Sequence, residues 1–177
     1  MGIDPGTNIL GFAVIEVNGD LIKVLEMGAL RMQDRKDHHE KLREIFLGVQ
    51  EIIERHLPQD MAIEAPFFGK DVQAMLKLGR AQGVAMAAGM TMGLNIVEYS
   101  PRKVKQSVTG NGNAIKEQVA DMLCRMLNMK QEKLGLDATD ALSVALCHHF
   151  QAGRPASSKK GGWNAFLKDN PDRIKKV

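Results

Sequence analysis

Residues 2–31, GIDPGTNILGFAVIEVNGDLIKVLEMGALR, decide how the rest of the chain is read. The apolar pair Gly2-Ile3 runs into Asp4, and Pro5-Gly6-Thr7 then breaks the strand. Leu10 to Val17 and Leu21 to Arg31 are strand-like, and Asn18-Gly19-Asp20 between them is a hairpin signal. Three antiparallel strands therefore open the chain, and one carboxylate, Asp4, stands where the first of them ends.

Downstream the pattern changes to alternation. A helix is predicted from about His38 to His56, with Leu42, Ile45, Phe46, Val49, Ile52 and Ile53 on one stripe. Met61–Glu64 reads as a fourth strand, Asp71 to about Gly93 as a long helix and Asn95–Tyr99 as a fifth strand. Ser100-Pro101 has the form of an N-cap followed by proline in the first turn. Gly110-Asn111-Gly112-Asn113 separates that short helix from another at about Ala114 to Met129, and a last helix runs from about Asp137 to Gln151. A meander followed by alternating helices and strands implies an α/β domain, one five-stranded mixed sheet flanked by helices. The chain contains no internal repeat.

Four acids occupy the ends of these elements. Asp4 closes the first strand and Glu64 the fourth, while Asp137 and Asp140 sit three apart at the start of the last helix. Carboxylates that end buried strands project at the rim of a sheet, where α/β folds bind ligands. The i, i+3 spacing puts the two helical acids on one face. Four negative charges in a small volume are costly unless protons or a cation neutralise them, and oxygen donors of this kind hold hard divalent metals. Taken singly, each acid also has a structural reading as a cap, a turn residue or a strand terminator. Taken together they read as a metal-dependent site acting on phosphate esters.

The composition is compatible with this. A chain of 177 residues with 44% hydrophobic side chains is long enough for one domain with a substantial core. No apolar run reaches the ~18 residues of a membrane span. Cys124 and Cys147 have no metal-ligand or redox spacing and read as reduced thiols of a cytoplasmic protein. From Gly153 onward, seven Lys/Arg stand against two Asp, a net of +5, whereas the whole chain is only +3. That segment, also rich in Pro, Gly and Ser, reads as a flexible basic tail over 153–177. It carries Trp163 and Phe166, and two roles stay open for it: solubility, or a salt-sensitive contact with a phosphate backbone.

Five stretches in order resemble the RuvC family of bacterial Holliday junction resolvases. They are Gly2-Ile3-Asp4-Pro5-Gly6-Thr7, Ile63-Glu64-Ala65-Pro66-Phe67-Phe68, Leu76-Lys77-Leu78-Gly79-Arg80-Ala81-Gln82-Gly83, Val104-Lys105-Gln106 and Asp137-Ala138-Thr139-Asp140-Ala141-Leu142. The resemblance covers roughly residues 1–150 and implies a ribonuclease H-like nuclease domain over 1–152. It implies a homodimer that binds four-way junction DNA and nicks two opposing strands symmetrically with Mg²⁺, or Mn²⁺ in its place. It also implies cooperation with the RuvA and RuvB branch-migration proteins. The family has a few more apolar residues ahead of the first aspartate than this chain provides.

Phosphodiester hydrolysis needs an activated water, stabilised non-bridging oxygens and help for the leaving oxygen, which two metals can supply. Asp4 is expected to bridge them, with Glu64 and Asp140 completing the coordination and Asp137 as ligand or water positioner. Phe67 matches the family's wedge aromatic, and an exposed ring there, with Phe68 beside it, would stack on unpaired bases. Lys105 and Lys116 match lysines that support catalysis or hold the scissile region, and Lys70, Lys77 and Arg80 are candidate phosphate contacts. The small-residue run from Gly79 to Gly89 allows close helix approach, much of which packing against the sheet explains, and the resemblance implies that this helix also forms the two-fold interface. The histidines share no ligand spacing with the acids. An actin-like or sugar-kinase ATPase would need two such cores and a second phosphate loop. A non-catalytic junction binder would have no reason to keep all four acids.

Overall fold

The computed structural model describes residues 1–35, 37–66, 71–129 and 135–152. Five strands and five helices follow one another as β1 (Gly2–Asp4), β2 (Ile9–Asn18), β3 (Leu21–Arg31), α1 (His38–His56), β4 (Asp60–Glu64), α2 (Val72–Thr91), β5 (Asn95–Tyr99), α3 (Pro101–Thr109), α4 (Lys116–Leu127) and α5 (Leu136–Ala152). The strands form one sheet in the order β3-β2-β1-β4-β5. β1, β2 and β3 pair antiparallel, and β4 joins β1 in parallel with β5 beyond it. β1, only three residues long, is the central strand.

Local chemistry explains the boundaries. Gly19 supplies the positive φ of 60° at the β2–β3 turn, where Asn18 pairs with Leu21. Asp37 caps α1 by accepting from the His39 backbone N–H, and Asp71 caps α2 by accepting from Gln73 and Ala74. Ser100 caps α3 and Gly110, with φ 76°, ends it. α4 is shorter than its apolar pattern predicts. Ile115 is extended, its N–H held by the Gln118 side chain at 3.1 Å, and Asn128 turns left-handed to stop the helix.

Strand alternation divides the core. Ile3, Leu10, Phe12, Val14, Met61 and Ile63 face α1 and α2, where Ile45, Val49, Ile52, Ile53, Ala81 and Ala85 meet them. On the other face Ala13 and Ala62 lie under α5, with Leu142, Val144, Leu146 and Cys147 above them. Two glycines let α5 approach. A Cβ at Gly2 would fall 2.3 Å from the Ala141 carbonyl oxygen, and one at Gly11 only 2.1 Å from that of Asp137. Gly11 pairs with Asp4, so the first turn of α5 is seated directly beside the end of β1.

Among the described residues no helix is long and apolar enough to cross a membrane, and the two cysteines are unpaired, Cys147 buried and Cys124 partly so. The basic tail lies outside the described residues.

Gly11→Ala is expected to destabilise the protein by about 3 kcal/mol, because the clash is with backbone that cannot rotate away. Gly48→Ala meets only side-chain carbons of Leu30. It also removes a glycine from a helix interior, so its cost should stay under about 1 kcal/mol. Chemical denaturation of the two variants checks the contrast.

Candidate active site

The site begins with strand alternation. Ile3 and Ile63 are paired neighbours facing α1 and α2, so Asp4 and Glu64, one residue further on adjacent parallel strands, point to the α5 side. α5, resting on Gly2 and Gly11, brings its first turn to the same rim. Asp140 lies one turn along from Asp137, on the side of the helix that faces the strand ends.

Two helices complete the enclosure. Lys116 opens α4 and its Nζ donates to Asp140 Oδ2 at 2.5 Å. Lys105, half-buried on α3, faces the same opening. Asp4, Glu64, Lys105, Lys116 and Asp140 thus line one cleft of ≈ 590 Å³, together with Ser100, Arg102, Gly112 and Asn113. Asp137 stands at its edge, close enough to bear on the charge of Asp4.

The electrostatics follow from the crowding. Burial, reinforced by Asp140 and Asp137 and opposed by Lys116, pushes the Asp4 carboxyl up to about 7. Burial, then Asp4 and Asp140, pushes Glu64 to about 7 as well, against Lys116 and Lys105. Lys116 moves the opposite way from a desolvated lysine. Its hydrogen bond to Asp140 raises it further, so it remains an ammonium.

Two half-buried carboxylates that resist ionisation beside two more acids form an oxygen-only donor set, which fits a hard divalent cation. Among the described residues no three acidic, histidine or cysteine side chains are drawn together tightly enough to share one ion. At Asp140 the Lys116 ammonium supplies a counter-charge to the acids.

Other residues singled out from the sequence fall differently. Lys77 and Arg80 are exposed on α2, away from the cleft. They lie near His38, which burial and then these two cations push below the usual imidazole range. Leu78 between them lines a smaller hollow, ≈ 180 Å³, with Asp4, Pro5, Glu64, Ala65 and Pro66. Phe67, Phe68 and Lys70 lie outside the described residues. Arg102 and Asn113 were not legible as cleft residues, although a cation in the first turn of α3, against the helix dipole, was a usable signal.

Comparison with known proteins agrees with this geometry. A family model described as "Crossover junction endodeoxyribonuclease RuvC" matches residues 1–148. The chain is similar to the RuvC crossover junction endodeoxyribonuclease of Cytophaga hutchinsonii, at 52% identity over all of this chain and 88% of that one. It is also similar to that of Bacteroides fragilis, at 52% identity over 99% and 95% of the two chains. Among solved structures it resembles RuvC of Thermus thermophilus in complex with Holliday junction substrate, with a TM-score of 0.79 and 32% identity over 85% of this chain and 92% of that one. The yeast mitochondrial Holliday junction resolvase Ydc2, at 12% identity and a TM-score of 0.60, shares the fold. The architecture is ribonuclease H-like.

The raised carboxyls predict how metal-free protein responds to pH. Asp4 and Glu64 bind protons up to about pH 7 when folded, but only up to ~4 when unfolded. The folded state therefore holds more protons between these limits, and stability falls as pH rises through that window. In EDTA, Tm should decline from pH 5 to pH 7.5. Asp4→Asn should raise Tm at pH 7.5 by several degrees and flatten the decline. Thermal melts across that range are the check, and an identical slope in the variant would mean that the acids are not crowded in solution.

Proposed function

Because the chain belongs to the RuvC family of crossover junction endodeoxyribonucleases, we propose that it resolves four-way DNA junctions by hydrolysing a phosphodiester in each of two opposing strands. The observation that carries this reading is the meeting of Asp4, Glu64 and Asp140 with Lys105 and Lys116 around one cleft at the sheet rim. A phosphate in that cleft would have acids on one hand and ammonium groups on the other.

The proposed ligands of divalent metal are Asp4, Glu64, Asp137 and Asp140, with two Mg²⁺ per site and Mn²⁺ as a substitute. When bound, such ions polarise the phosphoryl oxygen and supply hydroxide near neutral pH. The chain's own residues do the remaining work. Asp4, fixed on the central strand, sets the position from which the other acids are measured. Asp140 holds the Lys116 ammonium at the mouth of α4, where it can offset charge gathering on non-bridging oxygens. Lys105 adds a second cation from α3. Partial burial of Asp4 and Glu64 lowers the local dielectric and strengthens each of the interactions.

A homodimer suits a substrate with two-fold symmetry, since an isologous pair presents two identical sites. The support is a stripe on α2. Val72, Leu76 and Met90 are 65%, 52% and 57% exposed, and a Cβ at Gly79 or Gly83 would meet nothing within 4 Å. Phe67, with Phe68 beside it, is proposed as the wedge that stacks on bases at the crossover, and Lys70, Lys77 and Arg80 as contacts to the flanking backbone. Cooperation with RuvA and RuvB, action in the cytoplasm, and a backbone contact by the basic tail over 153–177 belong to the same reading.

Asp4→Asn and Glu64→Gln are expected to lower the cleavage rate on a synthetic four-way junction in Mg²⁺ by on the order of 10³-fold or more. Junction affinity should change little, because docking rests on the cations and the aromatic loop. Near-normal cleavage by Asp4→Asn would remove the mechanism. For the aromatic loop, Phe67→Ala should slow cutting of an intact junction more than that of one already unpaired at the crossover. Stacking worth ~1–3 kcal/mol per base would offset the cost of unpairing. Equal losses on the two substrates would assign Phe67 to packing.

A further inference from the structure

Arg102 has a placement that neither the fold nor the proposed metal chemistry requires. It stands in the first turn of α3, two residues after the Ser100 cap, and its side chain lines the cleft that holds Asp4, Glu64 and Asp140. A cation at this end of a helix opposes the helix dipole, so the helix itself gains nothing from it. Among the described residues, no carboxylate is within ion-pairing distance of its guanidinium. The residue is exposed, yet its stem is not free.

The constraint on the stem comes from Gly112. A Cβ at that position would fall 2.6 Å from Arg102 Cγ, 3.1 Å from its carbonyl oxygen and 3.2 Å from Nε. The side chain therefore lies across the bare backbone of the turn that links α3 to α4. That turn is itself fixed, with the Asn113 N–H held by the Asn111 side chain at 3.0 Å and the Asn111 N–H by Thr109 Oγ1 at 3.1 Å. Any side chain at Gly112 would displace the arginine, whereas glycine leaves a floor along which the guanidinium is directed.

Resting on the reading of the cleft as a DNA-cutting site, we propose that Arg102, laid over Gly112, binds a backbone phosphate next to the one being cut. The guanidinium fork matches a phosphate with two parallel hydrogen bonds, which an ammonium cannot do. The cleft, at ≈ 590 Å³, has room for more than a single phosphate group. Lys105 and Lys116 flank the acids, and Arg102 extends that cationic lining towards the turn at residues 110–113. Its contribution is registry: a second held phosphate fixes where along the strand the first one sits.

The neighbouring Lys103 provides the control. It carries the same charge on the same turn but does not line the cleft, and its carbonyl accepts from the Cys147 thiol. The experiment is fluorescence anisotropy of a labelled four-way junction, with each change made in the Asp4→Asn protein so that nothing is cut, over a range of salt. Arg102→Gln is expected to weaken binding about tenfold and to lower the log–log salt slope by about 0.9, the value for one fewer phosphate neutralised. Lys103→Gln should leave the slope near that of the parent. Gly112→Ala, which alters no charge, should weaken binding as Arg102→Gln does.

In the wild-type background, Arg102→Gln should also blur the cut position on a sequencing gel. Equal effects of Arg102→Gln and Lys103→Gln would overturn the proposal, because a diffuse positive field would then suffice. Normal binding by Gly112→Ala beside weakened Arg102→Gln would overturn the cradle. If Gly112→Ala does not fold, the Arg102 and Lys103 pair decides alone. Failure of wild-type protein to bind or cut the junction would instead defeat the functional reading itself, which separates the two failures.

Discussion

Everything in the cleft depends on how closely α5 can approach the sheet. The helix rests on backbone at Gly2 and Gly11, with carbonyl oxygens of Ala141 and Asp137 where β-carbons would otherwise be. Such proximity gains close packing without side chains to fill the gap, and it leaves no slack. A displacement of α5 by one methyl group would carry Asp137 and Asp140 away from Asp4 and Glu64. Side chains alone could not restore the arrangement, because the acids are short and are anchored on three different elements. The two glycines thus set the distance between the two halves of the charge cluster.

That cluster works against folding. Asp4 and Glu64 are driven towards neutrality by burial and by the neighbouring acids, and both helical acids add to the strain on Asp4. Strongly perturbed carboxyls of this kind cluster at functional sites. The protein limits the cost with Lys116, whose ammonium sits on Asp140 and is itself stabilised there. One lysine therefore serves both states: it balances the acids when no cation is present, and it stays charged for an anionic substrate.

Much of this was legible in the sequence because it depends on local patterns. The hairpin at Asn18–Leu21, the cap at Ser100 and the strand at Asn95–Tyr99 follow from turn chemistry and apolar runs that act over a few residues. The positions of the four acids at element ends were legible for the same reason. What was not legible depends on pairing across the chain. Nothing near Gly11 says that Asp137 will lie on it, and nothing near Gly112 says that Arg102 will cross it. The relation between Lys116 and Asp140, separated by 24 residues, required the tertiary fold. Helix ends also depended on remote detail: α4 begins late because Gln118 holds the Ile115 N–H, a competition that apolar periodicity does not register.

The cleft joins two opposite imbalances. Acids gather at the strand ends, and cations gather along α3 and at the start of α4, where the positive ends of the helix dipoles add to their field. Neither imbalance is relieved by the protein alone, since only Lys116 and Asp140 pair directly among the cleft's described charged residues. A divalent cation would relieve the first, and a phosphate backbone the second. The two also relieve each other, because the phosphate oxygens that face the acids would otherwise be repelled. On the proposed reading, a metal and a DNA strand bound here together would favour each other, each raising the affinity of the other by the same factor.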